Sequence, residues 1–247
     1  EFARLTGIGI DNTRNLAYVS DATAQRVFSI NLASGFVSLL AGSGIAGNTN
    51  GTGTAASFRF NINRVDDTGA GERGQGLCVD ESGNIYVGEQ YGISENNSDI
   101  RKITPGGVVT IVPGSIIIPT SELEIGVPSG LTVTASGDIY YTQGVSTMFQ
   151  GISKLSDGII TRIAGKRSFE EFTDGNGNIA AFTCPKAIQH KGEYNYIADA
   201  SNGALRRVNA AGTVITLAGV GRNMTNTYSD GHLPPIEGSY RLPISFT

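Results

Sequence analysis

The chain has 247 residues, a formal net charge of −4 and an apolar fraction of 39%, enough for a sizeable core and too much for a disordered tract. Its 34 glycines stand beside only 8 prolines with no G-X-Y period, which excludes a collagen and suits short strands joined by tight turns. Basic runs stop at pairs such as Lys166-Arg167 and Arg206-Arg207, and no apolar run approaches the roughly 18 residues of a membrane span, so neither nucleic-acid binding nor membrane insertion is expected.

In chain order, one four-part grammar repeats. Gly7 to Asp11, Asn15 to Asp21, Arg26 to Ile30 and Phe36 to Gly42 are short runs rich in β-branched and aromatic residues, which read as strands. The same four runs return as Gly76 to Asp80, Asn84 to Gly88, Ile100 to Ile103 and Val108 to Gly114. They return again as Gly130 to Val133, Asp138 to Thr142, Ile152 to Leu155 and Ile159 to Gly165. A fourth set is Ala187 to His190, Tyr194 to Asp199, Leu205 to Val208 and Thr213 to Gly219. Glycine-bearing turns such as Ser82-Gly83, Asp157-Gly158 and Ala211-Gly212 fall at matching places, where a tight hairpin needs positive φ.

Each unit is therefore expected to be a four-stranded antiparallel meander, over about residues 4–42, 74–114, 128–165 and 185–219. One such sheet cannot bury both faces alone, so stacked neighbours must cover one another. The fold class is all-β, a β-propeller in a single domain over 1–247. A second motif lies between units: Asn50-Gly51-Thr52-Gly53-Thr54-Ala55-Ala56-Ser57-Phe58, and Asp174-Gly175-Asn176-Gly177-Asn178-Ile179-Ala180-Ala181-Phe182. It reads as a glycine-rich turn, one helical turn and an aromatic plug. A degraded copy begins at Asp230-Gly231, and the last residues, 241–247, resemble the first strand of a fifth unit. That strand fits a longer parent, closure of a four- or five-bladed ring, or pairing with another molecule. With Glu1 first and no signal peptide after it, the chain is expected to be mature, processed or a fragment.

The Leu-Ala-Gly strand endings, the Asp-Gly-x-Gly-x-x-Ala-x-Phe linker and the Gly-x-Ile-Tyr-Val strand resemble NHL repeats. The resemblance spans nearly the whole chain and implies a propeller, commonly of about six blades, often built into extracellular, cell-surface or signalling proteins. Two segments depart from it. An apolar, acidic stretch from Ser115 to Val127 replaces the third linker, and unit two carries an insertion from Gly92 to Ser98. Departures from a repeat often map to the binding face, which makes Tyr91, Ile93, Ile116, Ile117, Ile118 and Leu123 candidate partner contacts.

Motifs with chemical connotations are absorbed by the repeat. Gly42-x-Gly44-x-x-Gly47 matches a dinucleotide fingerprint but runs into the turn sequence Asn48-Thr49-Asn50-Gly51 where a helix is required. Asp174-x-Asn176-x-Asn178 opens like a calcium loop, yet Ile179 and Pro185 stand where glycine and glutamate belong. The zinc lyases among NHL-like propellers use several channel histidines; here only His190 and His232 exist. His190 is expected to end the first strand of unit four as a satisfied polar residue. Asp21 and Asp199 both close a second strand, for capping or for pairing Arg26 or Arg206. Cys78 and Cys184 fall in non-neighbouring units and are expected as free thiols.

Three sequons begin at Asn50, Asn96 and Asn223, all in inferred loops where a glycan is tolerated. The expectation is a non-enzymatic, cofactor-free recognition or scaffolding propeller that binds a protein or glycan partner outside the cell or at its surface. The alternatives are a structural subunit of an extracellular assembly, joined through the terminal strand, and a propeller hydrolase or lyase.

Overall fold

The computed structural model describes residues 2–60, 76–90, 98–116, 128–144, 149–167 and 171–219. These build four antiparallel sheets. Blade one holds β1 (Leu5–Asp11), β2 (Leu16–Asp21), β3 (Arg26–Asn31) and β4 (Val37–Ala41) in that spatial order. Next come β5 (Gly51–Thr52) and, in blade two, β6 (Leu77–Val79), β7 (Ile85–Gln90), β8 (Ser98–Ile103) and β9 (Val108–Ile111). Blade three holds β10 (Pro128–Val133), β11 (Ile139–Gly144), β12 (Phe149–Ser156) and β13 (Ile159–Arg167). After β14 (Gly175–Asn176), blade four holds β15 (Pro185–Lys191), β16 (Tyr194–Asp199), β17 (Ala204–Asn209) and β18 (Thr213–Ala218). The four meanders are arranged as a β-propeller, with the first strands β1, β6, β10 and β15 side by side at the centre.

The sequence explains the stacking. Alternation puts Leu16 and Tyr18 on one face of blade one and Ala17 and Val19 on the other. The tyrosine face packs on Ile85, Val87, Ile103 and Val109 of blade two. Blade two returns the pattern with Tyr86 and Ile100 against Leu131, Ile139, Tyr141 and Leu155 of blade three. Blade three presents Tyr140 and Ile152 to Ile188, Ile197, Val208 and Val214 of blade four. Three apolar cores thus lie between four sheets.

Radial sheets diverge outwards, so each interface opens into a wedge at the rim. Between blades one and two the linker fills it. β5 adds as a fifth strand to the outer edge of blade two, with Gly51 opposite Val109, and a 3-10 turn at Gly53–Ala55 reverses the chain. The returning segment drives Ala56, Phe58 and Phe60 into the core, the two rings stacked at 5.0 Å. The second linker repeats this: β14 pairs with β18, the turn is Gly177–Ile179, and Ala180 and Phe182 are buried. The helical turn and the aromatic plug match the sequence expectation; the two-residue edge strands are additional.

Connections sort by end. Tight turns at 12–15, 81–84, 157–158 and 192–193 lie at one end of the disc. The joins from second to third strand and from blade to blade start and finish at the other. The terminal strand expected at 241–247 lies outside the described residues.

Candidate functional site

The first strands enclose a central cavity of about 470 Å³ near the tight-turn end. Each blade contributes the C-terminal part of its innermost strand: Ile8 and Ile10, Leu77 to Val79, Leu131 to Val133, and Ile188 to Lys191, with Asn12 from the first turn. The volume falls in the range of ordinary ligand sites, and the wall mixes aliphatic side chains with a few polar groups.

The polar groups come chiefly from blades three and four. The backbone N–H of His190 donates to the Thr132 hydroxyl at 3.2 Å, tying the two strands together. The His190 ring lies parallel to Tyr140 at 5.9 Å, and its Nδ1 is 3.2 Å from the Asn195 side-chain oxygen. His190 is a held polar residue one position before the end of β15, not at its end as expected, and it also lines the cavity, which the sequence alone did not reveal. Gln189 and Lys191 beside it are exposed. Cys78 also lines the cavity while packing against the core between blades two and three, and burial, reinforced by Asp80, holds its thiol far above the usual thiol range. Cys78 and Cys184 are both free thiols.

The strongest charge clusters lie elsewhere, at the rim. Arg101 and Glu89 are wholly buried and pair at 3.0 Å. The same guanidinium donates to the Ser57 and Thr49 carbonyls and to the Asn50 side-chain oxygen, and sits 5.6 Å from the Phe58 ring centre. Blade four repeats the set. Arg206 pairs with Asp199 at 2.9 Å and with Asp174 at 2.8 Å, donates to the Ala181 and Thr173 carbonyls, and lies over Phe182 and Phe172. Burial pushes both buried carboxyls upward, and the paired arginine opposes the shift in each case.

Each arginine thus clamps the linker that precedes its own blade. Blades one and three carry Phe28 and Ser153 at the equivalent bulged position, and neither is preceded in the described residues by such a linker. The two matched acids divide the expected roles. Asp199 pairs its arginine, whereas Asp21 caps the chain by accepting from the backbone N–H groups of Ala3, Arg4, Thr23 and Ala24. Those four donors outweigh burial and hold its carboxyl below the ordinary value.

The calcium-like loop has no free carboxylate, since Asp174 accepts from Arg206 and from the Thr216 hydroxyl and N–H. Likewise, the glycine fingerprint spends the N–H groups of Gly42 and Ser43 on Gly53 and Ala56. No group of three or more metal-ligating side chains occurs among the described residues, and none of their helices is long and apolar enough to cross a membrane. Of the sequon asparagines, Asn50 is exposed with its carbonyl oxygen on Arg101; Asn96 and Asn223 lie outside the described residues. So do Tyr91, Ile93, Ile117, Ile118 and Leu123 among the expected contacts. Ile116 is 55% exposed and does not line the cavity.

Among solved structures the chain is similar to a streptogramin B lyase, at 17% identity and TM-score 0.50, with 86% of this chain matching 53% of that one. It is also similar to a Bacteroides thetaiotaomicron protein of unknown function, at 18% and TM-score 0.51, with 85% matching 46%. An auxiliary nutrient binding protein from the same organism gives 18% and TM-score 0.52, with 99% matching 64%. The chain spans about half the length of the first two and under two thirds of the third. No protein-family model and no curated protein matches it. The class is that of the β-propellers, a fold that serves an enzyme and a binding protein alike and so does not by itself choose between them.

Proposed function

We propose that this chain is an NHL-like recognition propeller that works outside the cell and takes a segment of a protein partner into its central cavity. The carrying observation is the cavity wall, where an aliphatic lining is topped by Thr132, Gln189, His190, Lys191 and Asn12. That mixture suits an apolar side chain flanked by peptide groups, which need donors and acceptors as they leave water. A non-enzymatic role is supported by the fate of the buried acids and arginines, which are engaged in the rim clamps. The extracellular setting rests on the sequons at Asn50, Asn96 and Asn223.

The test is capture of binders from panels of extracellular proteins and immobilised glycans, repeated with His190→Ala and Lys191→Glu. Protein binders that weaken at least tenfold with both variants support the reading. Binders indifferent to the cavity variants, or binding confined to glycans, would overturn it. The extracellular setting is checked by the intact mass of the native chain, which glycans would raise above 25.8 kDa.

A further inference from the structure

Aligned by their cross-strand partners, the four first strands line the cavity in layers of equivalent residues. Ile8, Leu77, Leu131 and Ile188 form one layer, which is aliphatic in every blade. Two residues further on, blades one to three supply Ile10, Val79 and Val133, and blade four supplies His190. The departure extends to the second strands. Ala17, Ile85 and Ile139 stand behind the three aliphatic residues, whereas the buried Asn195 stands behind His190. A buried amide in an otherwise apolar row needs a hydrogen-bond partner, and its side-chain oxygen lies 3.2 Å from the His190 Nδ1. With that oxygen accepting from Nδ1–H, the neutral ring keeps Nε2 as an acceptor.

The next position separates the blades by charge. Blades one and two carry Asp11 and Asp80 there, blade three Thr134, and blade four Lys191. Asp11 is paired with Arg14 at 2.9 Å, and Arg14 also donates to the Ser82 carbonyl. Asp80 accepts from the Asn84 N–H, the Asn84 side-chain amide and the Tyr86 hydroxyl. Glu81 and Glu193 are exposed on the adjoining turns, off the cavity wall. Lys191 is the wall residue that carries a full charge, and its exposed ammonium has no partner among the described residues.

On the reading that the cavity receives a partner segment, we infer that this segment presents an acidic residue close to an apolar one. The carboxylate meets Lys191, a neighbouring backbone N–H is accepted by His190 Nε2, and the apolar side chain enters the layer of Ile8, Leu77, Leu131 and Ile188. Along an extended strand Ile188 and Lys191 lie about 10 Å apart, so the two partner side chains fall within about three residues of each other. A neutral or basic residue in the acidic position would leave the ammonium without a counter-charge as the segment displaces water. The departures from the repeat that set this preference sit together on β15.

The test pans short random peptides displayed on phage against the parent, Lys191→Glu and Ile10→Trp, the last filling the cavity from an exposed position. Val133→Phe narrows the cavity from blade three and gives the same comparison should Ile10→Trp not fold, as judged by far-UV circular dichroism. Peptides kept by the parent and lost on the filled cavity are expected to be enriched in Asp or Glu near Leu, Ile, Val or Phe. Lys191→Glu should turn that preference towards Lys or Arg. In fluorescence polarisation, a selected peptide should bind roughly fivefold more weakly when its acid becomes the amide, and equally so to Lys191→Gln, with no further loss when both changes are combined. Cavity-dependent peptides without an excess of acid, or indifferent to Lys191→Glu, would overturn this inference and leave the cavity reading standing. A library in which no peptide distinguishes the parent from the filled cavity would overturn both.

Discussion

At the residue scale, the molecule is organised by two arginines that serve as internal staples. Arg101 has no exposed surface, yet it makes five contacts of different chemistry: one carboxylate, two backbone carbonyls, one side-chain amide and one aromatic face. A planar guanidinium suits this because its donors fan out in one plane while its faces stay free to stack. Lysine would satisfy one partner and leave the others unpaired. Removing one side of a wholly buried pair costs about 3–5 kcal/mol, because the remaining charge has no compensation. Arg101→Met is therefore expected to lower the unfolding free energy by about that amount in urea titrations. Adding Glu89→Gln should recover part of the loss, since the orphaned carboxylate is then gone. A double variant less stable than Arg101→Met would show that Glu89 is held mainly by groups other than the arginine.

At the element scale, the turn between the last two strands of a blade also makes a contact with the blade before it. In blade four, Gly212 adopts φ +82, and a Cβ there would meet the Ile163 carbonyl oxygen of blade three at 2.3 Å. Its own carbonyl accepts from Gly177 of the linker. Gly192, in the turn between the first two strands, has φ +63 with open space around it. Gly192→Ala should thus cost only the left-handed conformation, about 1–2 kcal/mol, whereas Gly212→Ala must also push blade three aside and should cost clearly more. Comparing their midpoints in one denaturant series checks the ordering; equal losses would mean that the interface yields freely. The strands and turns were legible in the sequence because local patterns encode them: runs such as Asn84 to Gly88, punctuated by glycine at fixed offsets. The linkers were half legible. Their glycines and phenylalanines announced a turn and a plug, but the edge strands β5 and β14 are two residues each and take their conformation from the blade they join. The cavity was not legible at all. Thr132, His190 and Cys78 are ordinary strand residues in the chain, and only the ring places them on one wall.

For the whole molecule, the linkers and arginines divide the interfaces into two kinds. Blades one and two are stapled at the rim by Phe58 and Arg101, and blades three and four by Phe182 and Arg206. Among the described residues, blades two and three share a core, with Tyr86 and Leu131 among its members, but no such staple. In a stacked architecture each unit feels its neighbours and little beyond, so a lesion should be read out locally before globally. Phe58 and Phe182 belong to separate cores that share no residue. Deleting either ring removes a large buried side chain, at a cost of about 3–5 kcal/mol. The expected signature is spatial as well as energetic. Phe58→Ala should speed hydrogen exchange chiefly at amides of β1–β4 and β6–β9, and Phe182→Ala chiefly at β10–β13 and β15–β18. If both variants raise exchange evenly along the chain, the four blades open as a single unit and the middle interface is as strong as the stapled ones. If the effects stay in their halves, the core between blades two and three is the seam along which the propeller first parts, because among the described residues it depends on face-to-face packing without a rim clamp.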